Sequence, residues 1–310
     1  MTRLQVGVEE YLKLRRGLGF KLKRPGRFLR EFAEWLANRG QAEITTHTAL
    51  EWAISAQHLH PSEWAARLSS VRAFAHYWSA IEPNTEVPPE GLLPFRPKRA
   101  QPYLYTEIEI KGLMEAAKGM QAQFSLQPLT YYCLLGLLSV SGLRISEALN
   151  LRLQDFRCTD TLLMIRNSKF GKSRVVPLHV TSTAALADYA ARRNYHFADD
   201  PDAHFFCSIT GRRLDEGQVR RIFYRLSRQT GIRGASASRG PRLHDFRHRF
   251  AVETLLRWYR HGEDVMRRLP VLSTYLGHGH VSDTYWYLSN TPELMAAAGE
   301  RLEKRWADHL

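Results

Sequence analysis

The chain has 310 residues, 44% of them hydrophobic and 11% aromatic, enough to bury a sizeable core in one large domain or two ordinary ones. Its formal net charge of +13 comes mostly from arginine, whose planar fork suits phosphate, and points to a polyanionic partner; a basic surface kept for solubility or for acidic membranes is the alternative. No apolar run reaches the roughly 20 residues that cross a bilayer, and the first residues mix charge with apolar side chains, which argues against a secretory signal and a membrane span and leads us to expect a soluble, cytoplasmic protein, nucleoid-associated if the host is bacterial.

Three cysteines, Cys133, Cys158 and Cys207, lie far apart without a CxxC spacing. Neither a disulfide framework nor a zinc site is expected, and buried thiols are.

From residue 6 to about residue 81 apolar residues recur at helical spacing: Val8 and Leu12, then Phe28, Phe32, Trp35 and Leu36, then Leu50 and Trp52, then Trp64, Leu68, Val71, Phe74 and Trp78. The pattern predicts four or five short helices forming a compact domain over residues 1–88. Gly17, Gly19 and Pro25 are read as breaks between the first two helices, and the cluster Thr45 to Thr48 as N-caps for the third. Residues 89–103 are proline-rich, aperiodic and basic at their end, which marks a connector. Beyond it, Thr106 with Glu107 and Glu109 reads as a capped helix start, and residues 129–140 as an apolar helix running into Ser141-Gly142. Residues 162–166 and 175–178 read as the strands of a hairpin around a polar, basic tip. The remainder reads as helices broken at residues 231–240 and near Pro270, ending in an amphipathic helix after Pro292.

Three segments concentrate phosphate-binding and proton-transfer side chains next to helix-turn signals. In Ser141-Gly142-Leu143-Arg144-Ile145-Ser146-Glu147, Arg144 stands at a helix start, where its guanidinium can reach a phosphate or simply pair with Glu147. In Leu243-His244-Asp245-Phe246-Arg247, His244 and Arg247 share one helix face. His244, Asp245 and His248 also read as metal ligands, although Arg247 would set a cation against the ion. In the third, Leu276-Gly277-His278 is followed nine residues later by Tyr287, with Tyr285 as a rival that, like Trp286, is expected to pack.

In order and spacing these segments closely resemble the signature of the tyrosine recombinase and phage integrase family, and Ser168-Lys169-Phe170-Gly171-Lys172-Ser173-Arg174 followed by Val175-Val176-Pro177-Leu178 is similar to that family's lysine-bearing turn. The resemblance covers residues 106–287. Over the N-terminal half it rests only on a helical domain lying where the family keeps its core-binding domain. It implies a mainly α fold with a small β-sheet or hairpin in the catalytic domain, arranged as a two-domain clamp on DNA: a SAM-like core-binding domain over 1–88, a linker over 89–103, and a catalytic domain with a C-terminal helix over 104–310.

By resemblance, Tyr287 is the nucleophile, Arg144 and Arg247 bind the scissile phosphate with His244, and His278 positions or deprotonates the tyrosine. Lys169 protonates the leaving oxygen, with Lys172 as the other candidate, and Glu147 holds Arg144. Lys172, Arg174, Lys23, Arg27, Arg67 and Arg72 are candidates to contact double-stranded DNA. The resemblance implies a 3′-phosphotyrosine intermediate formed without cofactor, metal or ATP. It also implies a homo-tetramer on two DNA sites, with or without partner recombinases, in which the tail helix docks on a neighbour or on its own domain. With no added N-terminal arm-binding domain expected, we read a mobile-element recombinase. The competing readings are a catalytically inactive DNA-binding accessory factor of the same fold, and a metal-dependent nuclease built on His244, Asp245 and His248.

Overall fold

The computed structural model describes residues 1–93, 101–168, 171–288 and 292–307. The chain divides into two compact units, Met1–Ala100 and Gln101–Leu310.

The first unit contains four helices among its described residues: α1 (Arg3–Gly17), α2 (Lys23–Ala37), α3 (Thr46–Ile54) and α4 (Pro61–Trp78). Leu12, Phe32, Leu36, Trp52, Val71 and Phe74 form its core. Each such side chain contributes about 1.5–3 kcal/mol by leaving water. Gly7 lets α1 lie close to α4, because a Cβ there would stand 2.0 Å from the Trp78 ring. Thr45 caps α3 as expected, accepting from the Thr48 N–H. Pro25 does not break the chain. It lies in the first turn of α2, where its missing N–H is one that no helix carbonyl would have used.

The second unit is mainly helical around one small sheet. Its elements in order are α5 (Glu107–Lys118), α6 (Leu126–Ser141), α7 (Ile145–Asn150), β1 (Phe156–Arg157), β2 (Leu162–Ile165), β3 (Arg174–Pro177), α8 (Val180–His196), α9 (Glu216–Gln229), α10 (Asp245–Arg260), α11 (Val265–Leu276), α12 (Ser282–Leu288) and α13 (Pro292–Ala307). The expected hairpin is present as β2 and β3, with Leu163 opposite Val176 and Ile165 opposite Arg174. The two-residue strand β1, too short to carry an alternation, extends it to an antiparallel sheet of order β1-β2-β3.

Two apolar clusters build this unit, and α10 serves both. Phe246 is 1% exposed, joins the cluster around α6 and stacks on Tyr105 at 4.5 Å. One turn further on, Ala251, Val252, Leu255 and Leu256 join the cluster formed with α11, α12 and α13. The polar start of α10 therefore falls at the seam between two cores. In α13, Leu294 is buried in that same cluster, so the tail helix packs on its own unit.

Three expectations need correction. Pro270 does not break a helix: α11 runs through it, and the proline is exposed, so the carbonyl it leaves unpaired faces water. Cys158 is exposed while Cys133 and Cys207 are buried, because it sits in the turn between β1 and β2. Tyr285 is 44% exposed and does not pack, since its neighbours on α12 take the buried face.

Candidate active site

Helix α6 ends where Gly142 takes a φ of +60°, and a Cβ there would lie 2.7 Å from the Phe250 ring, so both the turn and the packing call for glycine. The chain emerges at Arg144, the N-cap of α7. Its own N–H donates to the Glu147 carboxylate at 3.0 Å, and its Nη1 does so at 2.8 Å. From β3, Arg174 donates to both oxygens of Glu147, at 3.0 and 2.8 Å. Burial works against ionising Glu147, but Arg174 and Arg144 outweigh it and draw its pKa down to about 2.

At the head of α10, Asp245 accepts from the Arg242 backbone N–H at 2.8 Å and from its guanidinium at 2.8 Å, which fixes the turn that presents His244. Arg247 is 1% exposed. It donates to the carbonyls of Gly142 at 3.0 Å and Leu276 at 2.5 Å. Arg144 donates to Leu276 as well, at 3.4 Å, and to Gly277 at 3.0 Å, while Arg174 donates to Tyr275 at 2.6 Å. Three consecutive carbonyls at the C-terminal end of α11 thus gather three guanidiniums from β3 and the starts of α7 and α10. Those are groups that helix geometry leaves without partners and that carry the negative end of the helix dipole. Gly277 follows with φ +68°, and a Cβ on it would come within 2.9 Å of Arg174.

Against these three cations stands the carboxylate of Glu147, which is paired with both Arg144 and Arg174. Three guanidiniums on one shared carboxylate leave a net positive charge that can attract an anion. Burial is the main cause that lowers the Arg247 pKa, to about 10, and the neighbouring Arg144 adds to it; the hydrogen bond and charge of Tyr287 oppose the drop.

Tyr287 is 4% exposed on α12. Its ring lies 6.0 Å from that of His278 at an interplanar angle of 20°, and 5.4 Å from that of His248. His278 Nδ1 is 2.7 Å from Thr284 Oγ1. His244 sits 4.8 Å, ring to ring, from His248. Burial, then the nearby arginines, lower the pKa of both His244 and His278 to about 4, so both rings are neutral near pH 7 and His278 can accept a proton.

The fold thus brings Arg144, Glu147, His244, Arg247, His278 and Tyr287 together from four separate stretches of chain. Lys169 lies outside the described residues, and Lys172 is exposed. Arg174 was expected on a DNA surface; it is instead committed to Glu147 and Tyr275, with a side chain 10% exposed. In the first unit Lys23 and Arg27 are exposed. Arg67 is a correction: 7% exposed, it lies 4.0 Å over the Trp52 ring, a buried cation held by an aromatic face. Arg72 is half-buried and donates to the carbonyls of Pro88 and Pro89, both at 2.7 Å, so it ties down the chain after α4.

Sequence reasoning missed Arg174 and Thr284 as parts of this site. Thr284 carried a faint signal, one helical turn before Tyr287. Arg174 carried none, because a basic residue in a basic hairpin looks like every other. Among the described residues, no three His, Cys, Asp or Glu side chains are grouped so as to hold a metal ion.

Residues 104–293 match the model of the phage integrase family. The chain is 53% identical over 99% of both lengths to a Sinorhizobium fredii protein carrying the name integrase/recombinase y4rB. It is 28% identical to the tyrosine recombinase XerD of Mycobacterium tuberculosis over 91% of each chain. Its fold resembles the Tn1549 transposon integrase solved with transposon right end DNA, with a TM-score of 0.70 at 16% identity over 98% of this chain and 99% of that one. With a family match across more than half its length and a near full-length relative, the chain belongs to the phage integrase family, the tyrosine recombinases that cleave and rejoin DNA.

Proposed function

We propose that this recombinase breaks a DNA strand by attack of the Tyr287 phenol oxygen on a backbone phosphate held by Arg144 and Arg247. The observation that carries the reading is one cluster: Tyr287 within reach of the Arg247 charge, its ring beside His278, and both arginines donating to the same Leu276 carbonyl. A free phenol ionises near pH 10, so it needs cations and a base to act at neutral pH. Here two guanidiniums and a neutral imidazole stand beside it.

In this mechanism the Tyr287 proton passes to His278 as the phenol oxygen bonds to phosphorus. The bond to the 5′-oxygen breaks, and that oxygen leaves with the bonding pair and takes a proton from a hairpin lysine, Lys169 or Lys172. The product is a 3′-phosphotyrosine with a free 5′-hydroxyl. Attack by the 5′-hydroxyl of a partner strand reverses the step and conserves the bond energy. Arg144 and Arg247 stabilise the phosphorane-like charge, with His244 beside them, and electrostatic stabilisation of this kind is usually the largest catalytic contribution. Glu147 anchors Arg144.

The exposed basic residues Lys23 and Arg27 of the first unit would contact the backbone of double-stranded DNA. We read the working assembly as a tetramer on two sites and the biological role as movement of a mobile element.

The test is to incubate the protein with DNA fragments that flank its own gene, denature in SDS, digest with protease and nuclease, and search by mass spectrometry for a nucleotide-linked peptide. An adduct on Tyr287 is expected. An adduct on Tyr285 would move the nucleophile, and one on a serine or histidine would overturn the mechanism.

A further inference from the structure

Thr284 is fully buried, at 0% exposure, and lies three residues before Tyr287 on α12, so the two side chains are neighbours on that helix. Its Oγ1 is 2.7 Å from Nδ1 of His278. The two nitrogens of an imidazole lie on different edges of the ring, so engaging Nδ1 turns Nε2 toward other neighbours.

The charges that bear on this ring are the guanidiniums of Arg247 from α10, Arg144 from the head of α7 and Arg174 from β3, opposed by Asp283 of α12; Tyr287 stacks on its face. Guanidiniums only donate. A ring nitrogen that faces those cations is stabilised as a lone-pair acceptor and penalised as an N–H, whereas Nδ1 faces the Thr284 hydroxyl, whose oxygen can accept.

We propose that Thr284 is a positioning residue for His278: its hydroxyl oxygen accepts from Nδ1–H, which keeps Nε2 unprotonated and aimed where Tyr287 must lose its proton. The proposal rests on the assignment of Tyr287 and His278 given above. The proton ledger is simple. The phenol proton moves to Nε2, the ring becomes an imidazolium, and its second proton stays on Nδ1 in the bond to Thr284. Because Thr284 and Tyr287 share one helix, withdrawal of α12 would remove the nucleophile and release the base's tautomer in the same movement. Base and nucleophile are then competent only together.

The test uses the full chain labelled with ¹⁵N-histidine, without DNA, near neutral pH. Long-range proton–nitrogen correlation spectra show which ring nitrogen of His278 carries the proton. Wild type and Thr284→Ser should hold it on Nδ1, and Thr284→Val, similar in shape but without the acceptor, should shift the ring toward the other tautomer. A proton on Nε2 in wild type overturns the proposal, and so does a Thr284→Val spectrum like that of wild type. If Thr284→Val does not fold, the wild-type and serine spectra still decide it.

On gene-flanking DNA, Thr284→Val should form the adduct roughly fivefold to tenfold more slowly, the scale of one hydrogen bond, while Thr284→Ser stays within about twofold. An unchanged rate in Thr284→Val would remove the catalytic part. Should Tyr287→Phe and His278→Ala still form the adduct while the tautomer follows Thr284, the failure belongs to the nucleophile and base assignment instead.

Discussion

Arg174 grips both carboxylate oxygens of Glu147, at 3.0 and 2.8 Å, from a strand that begins 27 residues further along the chain. Arg144 shares the same carboxylate. Glu147 is thus the common anchor of two of the three arginines at the end of α11, and it has to be ionised to serve.

The stability of the protein should reflect that requirement. The folded pKa of Glu147 lies near 2 against an ordinary 4.5, so its contribution is present in full above about 4.5 and is lost as the pH falls toward 2. At ~1.4 kcal/mol per unit the shift corresponds to about 3 kcal/mol. Urea denaturation at a series of pH values should show Glu147→Gln destabilised by roughly 2–3 kcal/mol at neutral pH, with the gap to wild type closing below pH 4. A constant gap across that range would mean that the carboxylate's charge is not what matters.

Replacing Arg144 or Arg247 by lysine keeps a positive charge but loses the fork that reaches two acceptors at once. Adduct formation should fall about a hundredfold to a thousandfold in either variant, while DNA retention in a gel-shift assay changes little. Wild-type cleavage rates would defeat the arginine assignment.

Tyr287→Phe should abolish the adduct, and Tyr285→Phe should leave it at wild-type yield. The two tyrosines differ in setting: Tyr287 is 4% exposed against His278 and His248, and Tyr285 is 44% exposed. Mass spectrometry of the digested adduct separates them.

Gly277→Ala is a test of the turn that collects the arginines. At φ +68° an alanine is strained by about 1–2 kcal/mol, and its Cβ would press within 2.9 Å of Arg174. We expect a lower melting temperature together with slower cleavage. Unchanged values for both would show that the guanidiniums tolerate displacement.

A chelator separates this chemistry from metal-dependent hydrolysis. Adduct formation should be the same with and without EDTA, since the arginines supply the charge that a bound cation would bring. Activity abolished by EDTA would return His244, Asp245 and His248 to the role of metal ligands.

Much of this architecture could be read from local chemistry. Thr45 and Thr106 announce their helices because a capping hydroxyl acts within three residues, and Gly142 and Gly277 mark helix ends because a positive φ is a property of one residue. The motif segments around Arg144, His244, Arg247, His278 and Tyr287 were legible through their resemblance, in order and spacing, to the signature of the tyrosine recombinase family. Strand β1 was not, being two residues long, and Pro270 misled because its tolerance depends on facing solvent.

What the sequence determined, then, were the helices with their caps, since those follow from interactions a few residues in range, while the candidate residues came from the resemblance of three motif segments to a family signature. Only the tertiary structure decided what each arginine does. Arg67 and Arg174 were both expected to contact DNA, yet one is buried over Trp52 and the other is spent on Glu147, while Arg144 and Arg247 are drawn to one carbonyl of α11. A guanidinium's role is set by which acceptors, rings and charges surround it once water is excluded, and those partners arrive from distant parts of the chain.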